Sequence, residues 1–118
     1  MQIIFEEKLV PALREKHPVL ELDTIWQPGM SNPITIHALV ERVAIEDMTN
    51  LDMQKELHAS MINLYKSGEW GLLPLLLEQL KGKWQQELDT FYDEVLDFIS
   101  KTDPKDWDGI RRTTPTTD

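Results

Sequence analysis

The sequence predicts an all-α fold, a single compact bundle of about four helices whose longest member runs from about residue 73 to residue 101. Apolar residues recur every three or four positions along that segment, which is the spacing of one buried helix face. Residues 50–66 show the same spacing and are followed by Gly68, a typical helix stop. The strand-like run VLELDTIW at residues 19–26 has no evident partner, and an isolated strand is unstable in water.

Residues 2–17 are predicted to form the first helix. Pro11 lies inside this segment and is expected to kink the helix or to mark a restart. Residues 18–31 are expected to be irregular, with an extended connection at 19–26 favoured and a strand left as the alternative. The shared helical face of the first segment consists of Phe5, Leu9, Ala12 and Leu13.

The segment after Asn32 fits two kinds of structure. Asn32 and Pro33 form a helix start, with an N-cap residue followed by proline at the first helical position. The next residues, ITIHALVERVAI, place apolar side chains on one helical face and also fit the alternation of a strand. The start signal and the length of the run favour a second helix.

Two further helices complete the predicted bundle. In the helix at residues 50–66, Thr49 and Asp52 have the spacing of a capping box, and Met53, Leu57, Met61 and Leu64 form the buried face. In the long helix, Pro74 fits the first turn, while Gly82 costs about 1 kcal/mol relative to alanine. The face of the long helix is Leu73, Leu77, Leu80, Trp84, Leu88, Phe91, Val95 and Phe98. These elements define a helical domain at 1–102, followed by a polar, flexible tail at 103–118.

The composition excludes several classes of partner. The formal net charge of −9 disfavours direct binding to nucleic acid or to an anionic membrane, both of which need clustered lysine and arginine. The longest uncharged apolar run, Trp70–Leu77, is far shorter than the roughly 20 residues of a membrane span. The N-terminal stretch MQIIFEEKLV has no basic leader, so no signal peptide is expected and a cytoplasmic location is predicted.

No catalytic or cofactor motif is present in the sequence. The patterns G-x-S-x-G, G-x-G-x-x-G and G-x-x-x-x-G-K are all absent, and there is no cysteine to form a thiolate metal site. His37 and Glu41 are four residues apart, but the Glu-x-x-His pattern of di-metal bundles is missing. We therefore predict a non-enzymatic protein without cofactor or metal. The alternative is a metal- or small-ligand-binding protein or enzyme that uses His37, Glu41 and His58.

The apolar residues outside the buried stripe indicate a binding surface. Trp70, Leu72, Leu75 and Leu76 make the start of the long helix apolar in several directions, as expected of a helix that is fully buried or covered by a partner. Trp107 stands among polar residues and either folds back onto the domain or docks into a partner. An acidic run without any base, Glu87, Asp89, Asp93, Glu94 and Asp97, is either a solvated helix face or a docking strip for a basic partner.

These observations favour a protein–protein interaction module, such as a small acidic adaptor, inhibitor or assembly factor. The predicted partner-binding residues are Trp70, Leu72, Leu75, Leu76, Glu87, Asp93, Glu94, Asp97 and Trp107. The partner is expected to be another protein with a basic surface, or a second copy of the chain bound through residues 70–77.

Overall fold

A computed structural model describes residues 2–40, 50–84 and 86–112 and shows an α+β fold, so the prediction of an all-α bundle is wrong. Within the described residues, a mixed four-stranded sheet packs with four α-helices. The strands are β1 (Gln2–Ile4), β2 (Val19–Trp26), β3 (Ile34–Leu39) and β4 (Arg111–Arg112). The helices are α1 (Val10–Arg14), α2 (Leu51–Ser67), α3 (Leu73–Leu80) and α4 (Asp89–Lys101), with 3₁₀ turns at Glu7–Leu9 and Pro104–Asp106.

The two segments with ambiguous patterns pair with each other. β2 and β3 are antiparallel, β1 pairs antiparallel with the other edge of β3, and β4 pairs parallel with β2, giving the order β1-β3-β2-β4. Pro28 and Gly29 lie in the connection between β2 and β3, where Gly29 has a φ of +98°. Asn32 and Pro33 therefore end a loop and do not start a helix. β2 and β3 are hydrogen-bonding partners of each other, and this pairing stabilises both strands.

Residues 2–17 form several short elements in place of the predicted helix. Pro11 lies in the first turn of α1, so it starts a short helix and does not kink a long one. Phe5 and Leu9, which were predicted to share one helical face, are both exposed. A small second core instead joins Ile4, Val10, Val19 and Leu39, with Leu13 packed against it.

Helix α2 agrees with the prediction at residues 50–66. It ends at Gly68, whose φ of +80° is the left-handed conformation that favours glycine. Met61 is buried as expected, but Met53 is exposed and His58 and Gln54 occupy buried positions on the inner face. Thr49, the predicted capping residue, lies outside the described residues.

The predicted long helix is two helices joined by turns. α3 ends at Leu80 and α4 begins at Asp89, and the left-handed backbone of Gly82 and Gln86 redirects the chain between them. The Asp89 carboxylate accepts a hydrogen bond of 2.8 Å from the Gly82 N–H, which ties the start of α4 to this connection. Both helices still lie on one core, so the apolar stripe spans the break. The main core contains Leu20, Leu22, Ala38, Val40, Met61, Ile62, Tyr65, Leu73, Leu77, Leu80, Trp84, Leu88, Tyr92 and Val95.

Residues 104–112, which the sequence assigned to the tail, lie against the rest of the fold. Gly109 passes so close to α2 that a Cβ there would be 3.3 Å from the Lys66 carbonyl oxygen. Arg111 extends from β4 and its Nε lies 2.9 Å from Oδ2 of the buried Asp23. The Tyr65 hydroxyl donates to the same carboxylate. Residues 113–118 lie outside the described residues.

Candidate partner-binding surface

Leu72 and Leu75 are exposed at the start of α3. These residues are 69% and 65% accessible, and they are three residues apart, so they are neighbours on one face of the helix. Pro74 lies in the first turn of α3, as the sequence predicts. The two leucines therefore form a small exposed apolar patch on α3.

Trp70 and Leu76, also predicted to bind a partner, are partly covered by the chain itself. The Trp70 indole donates a hydrogen bond of 2.9 Å to the Tyr65 carbonyl, and its ring lies 6.3 Å from the Phe98 ring. Leu76 is half-buried against the main core. Of the four apolar residues outside the stripe, Leu72 and Leu75 are therefore the ones left open.

Trp107 completes the aromatic cluster that covers Trp70. Its ring centroid lies 5.1 Å from that of Tyr65 and 5.1 Å from that of Phe98. Its indole donates to the Tyr65 carbonyl, the same acceptor that Trp70 uses. Helix spacing could not reveal this contact, because the acceptor and Trp107 are 42 residues apart.

The acidic residues on α4 form a strip with two lysines at its borders. Asp93, Glu94 and Asp97 are exposed. Lys81 bridges Glu78 of α3 (3.2 Å) and Asp93 of α4 (2.5 Å), and the hydrogen bonds that its ammonium donates to Asp93 and Glu78 raise the pKa of Lys81. Lys101 pairs with Asp97 at 3.0 Å. Although the run contains no base of its own, two of its carboxylates thus form ion pairs with lysines outside it, and such exposed pairs contribute little to stability.

The leucines and the acidic strip are continuous on the surface. Glu78 is three residues after Leu75 on α3, so the two are neighbours on the helix, and Glu78 is linked through Lys81 to Asp93. We call the combined region of Leu72, Leu75, Glu78, Asp93, Glu94 and Asp97 the leucine–acid surface. Its α4 end opens into a groove of about 530 Å³. The lining of the groove includes Asp93, Glu94, Asp97, Phe98, Lys101 and Arg111.

Glu87, also predicted to bind a partner, is exposed on the turn between α3 and α4, where its backbone N–H donates to the Trp84 carbonyl. It is not among the residues that line the groove. Glu78, which was not predicted, joins the surface through its neighbours Leu75 and Lys81. Helix spacing in the sequence could have identified Glu78 as a surface neighbour of Leu75, because the two are three residues apart. In the same way, the four-residue spacing of Asp97 and Lys101 could have identified their ion pair.

The two described histidines of the alternative function, His37 and His58, are both buried. His58 is buried, and its Nε2–H donates to the Glu21 carbonyl at 2.6 Å while Nδ1 lies 3.0 Å from the Tyr92 hydroxyl, which donates to it. His37 is on β3, where its buried Nδ1 has no hydrogen-bond partner in the described structure. Glu41 lies outside the described residues. Residues 2–40, 50–84 and 86–112 contain no group of three or more potential metal ligands.

The buried His58 should make the stability of the fold depend on pH. Burial lowers the pKa of His58 from 6.5 to about 4. Below pH 6.5 the unfolded chain binds a proton that the folded chain does not bind until about pH 4, so stability falls as the pH falls through this window. We expect a loss of about 2 kcal/mol between pH 7 and 4.5. Burial also lowers the pKa of His37, which adds an effect of the same sign.

Urea unfolding of the wild type and of His58→Gln at pH 7 and at pH 4.5 measures this contribution. The variant should be less stable at pH 7, because it lacks the imidazole contacts, but it should lose less stability on acidification. Burial raises the pKa of Asp23, which has the opposite effect on the pH dependence but is common to both proteins. Equal acid-induced losses in the two proteins would contradict the assignment.

Comparisons with family models, curated proteins and solved structures find no match to this chain. Among the described residues, no helix has the length and apolarity needed to cross a bilayer.

Proposed function

We propose that the chain is a cytoplasmic, non-enzymatic interaction module that binds a basic segment of another protein on the leucine–acid surface. The observation that carries this proposal is the junction of two exposed leucines with a row of carboxylates on adjacent helices. Apolar side chains of the partner would cover Leu72 and Leu75. Its lysine or arginine side chains would lie along Asp93, Glu94 and Asp97.

The two parts of the surface would contribute differently to binding. Fully burying a leucine stabilises a complex by about 1.5–3 kcal/mol before the costs of association. The carboxylates would mainly speed encounter with a basic partner and set its orientation. Phe98 lies at the edge of the groove, where a partner cation could contact its ring as Arg111 already does at 4.9 Å.

A homodimer through residues 70–77 has less support. In a two-fold dimer the same surface patch occurs on both subunits. The acidic strip next to Leu75 would therefore be brought close to its own copy, and like charges across an interface oppose binding. A different protein with a basic segment could contact both the exposed leucines and the carboxylates.

The alternative function at His37, Glu41 and His58 also has less support. Both ring nitrogens of His58 already have hydrogen-bond partners, so this residue could bind a metal only by losing one of them. Adaptor, inhibitor and assembly-factor roles all remain compatible with the proposed surface.

Affinity capture with the full chain tests the proposal. Three tagged baits are compared in a native lysate: the wild type, Leu72→Ala/Leu75→Ala and Glu94→Lys/Asp97→Lys. We expect at least one protein to be retained by the wild type and lost by both variants. Its retention should fall when the salt concentration is raised from about 0.05 to 0.5 M, because salt screens charge–charge attraction.

Matched control variants distinguish binding at the leucine–acid surface from non-specific binding to exposed apolar or charged residues. Phe5→Ala/Leu9→Ala removes two other exposed apolar side chains, and Glu6→Lys/Glu15→Lys reverses two other exposed charges. Both controls should retain the protein. If no captured protein distinguishes the surface variants from the controls, the proposed surface is wrong. Sedimentation equilibrium tests the homodimer. If the wild type is a dimer and Leu72→Ala/Leu75→Ala is a monomer, the partner is a second copy of the chain and not a basic protein.

A further inference from the structure

A second cavity lies on a different part of the molecule from the leucine–acid surface. It has a volume of about 380 Å³ and is bordered by residues at the end of α1, by the first residues of β2 and by α2. It shares no residue with the leucine–acid surface or with the groove beside α4. The volume is within the range of small-molecule sites, roughly 300–1,000 Å³.

Basic side chains dominate the charged lining of this cavity. Arg14, His17 and Lys55 all line it. Among the described residues, no carboxylate forms an ion pair with any of these three. The lining carboxylate, Glu21, is held at 2.5 Å by Lys66, so its charge is already compensated. Basic groups that have no ion pair with any described carboxylate, gathered around one concave site, are unexpected in a chain of net charge −9 and favour a bound anion.

The rest of the cavity lining is largely apolar and includes buried side chains. Val19, Leu20 and Ile62 are buried core residues that border the cavity. His58 also lines it, and its ring is held in place by Glu21 and Tyr92. Because burial lowers the pKa of His58 to about 4, this ring is neutral at pH 7. The cavity therefore combines a basic rim with an apolar, pre-formed wall, the usual arrangement of a site for a small amphipathic ligand.

We infer that this cavity binds a small organic anion, with its oxyanion head held by Arg14 and Lys55 and its apolar body against Val19 and Ile62. Arg14 suits either a carboxylate or a phosphate head, because its guanidinium can donate two parallel hydrogen bonds. The body must be compact, of the size of a single aromatic ring or a short aliphatic chain. Neither the leucine–acid surface nor its partner is required for this binding.

Titration of the full chain with simple probes tests the inference. The probes are phenyl phosphate, benzoate, inorganic phosphate and phenol, followed by amide chemical shifts at Ala59, Asn63 and other residues that line the cavity. Saturable shifts with phenyl phosphate or benzoate, and much weaker binding of inorganic phosphate and phenol, are expected. The tighter of the two organic anions identifies the head group as phosphate or carboxylate.

Charge variants locate the binding. Arg14→Gln/Lys55→Gln should weaken binding of the preferred probe at least about tenfold, since it removes charge-assisted hydrogen bonds. Lys8→Gln/Lys16→Gln removes two exposed charges from the same part of the chain outside the cavity and should leave the affinity unchanged. Equal losses in the two variants, binding of phenol as tight as that of the anions, or no saturable shift at the cavity would each overturn the inference.

Discussion

Leu77→Ala is expected to lower the free energy of unfolding by about 2–5 kcal/mol, because it removes a fully buried side chain and leaves a cavity. Leu77 lies on the inner face of α3 with no accessible surface. Leu75 is two residues earlier on the same helix and is largely exposed. Leu75→Ala should therefore change stability by less than about 0.5 kcal/mol.

Urea unfolding monitored by circular dichroism compares the two alanine variants under identical conditions. Both replace leucine by alanine in one short helix, so the effect on helix propensity is closely matched and the difference reports burial. Similar losses in both would mean that Leu75 is covered within the chain. That result would remove the apolar half of the leucine–acid surface.

Arg111→Met is expected to cost about 3–5 kcal/mol, because it leaves the Asp23 carboxylate buried without its cation. The Asp23 side chain is only 4% accessible, and Arg111 also donates to the Tyr65 hydroxyl at 3.3 Å. Arg112→Met is the matched control. Its ion pair with Asp108 is half exposed on both sides, so the expected cost is below about 1 kcal/mol.

The Asp23→Asn/Arg111→Met double variant separates the lost ion pair from the lost packing of residues 107–112. Since the amide carries no charge, the double variant should be more stable than Arg111→Met alone. If Arg111→Met were no more destabilising than Arg112→Met, residues 107–112 would not be docked in solution as described. Chemical unfolding of the four proteins at pH 7 provides the measurement.

The elements defined by local interactions could be predicted from the sequence. Helix α2 has its apolar face within consecutive turns and its stop at Gly68, so every determinant lies inside one segment. The apolar stripe from Leu73 to Val95 was also identified correctly as core. Its periodicity did not reveal the break after Leu80, because both helices bury their stripes in the same core.

The sheet could not be predicted, because strand pairing depends on residues distant in sequence. Val19 lies opposite Leu39, and Gln2 lies opposite the same residue on the other edge of β3. β4 consists of two arginines, which carry no strand preference in their sequence and pair with Ile25 and Trp26. Such elements are stable only in the assembled sheet.

The candidate sites likewise combine features that follow from local sequence with features that depend on the tertiary fold. Helix spacing separated Leu72 and Leu75 from the core stripe, but it could not show that Trp107 returns to cover Trp70. The basic cavity was missed entirely, because Arg14 and Lys55 are brought together only when α1 and α2 border the same strand. Neither residue belongs to a sequence motif.

Site-directed crosslinking tests the central claim, that another protein covers the leucine–acid surface. The chain has no cysteine, so Leu72→Cys and Phe5→Cys each introduce a unique site for a photoreactive label. Illumination in a native lysate should give a discrete adduct from Leu72→Cys that is absent from Phe5→Cys. Adding Glu94→Lys/Asp97→Lys to Leu72→Cys should strongly reduce that adduct. The same adducts from both positions, or an adduct insensitive to the charge reversal, would contradict the claim.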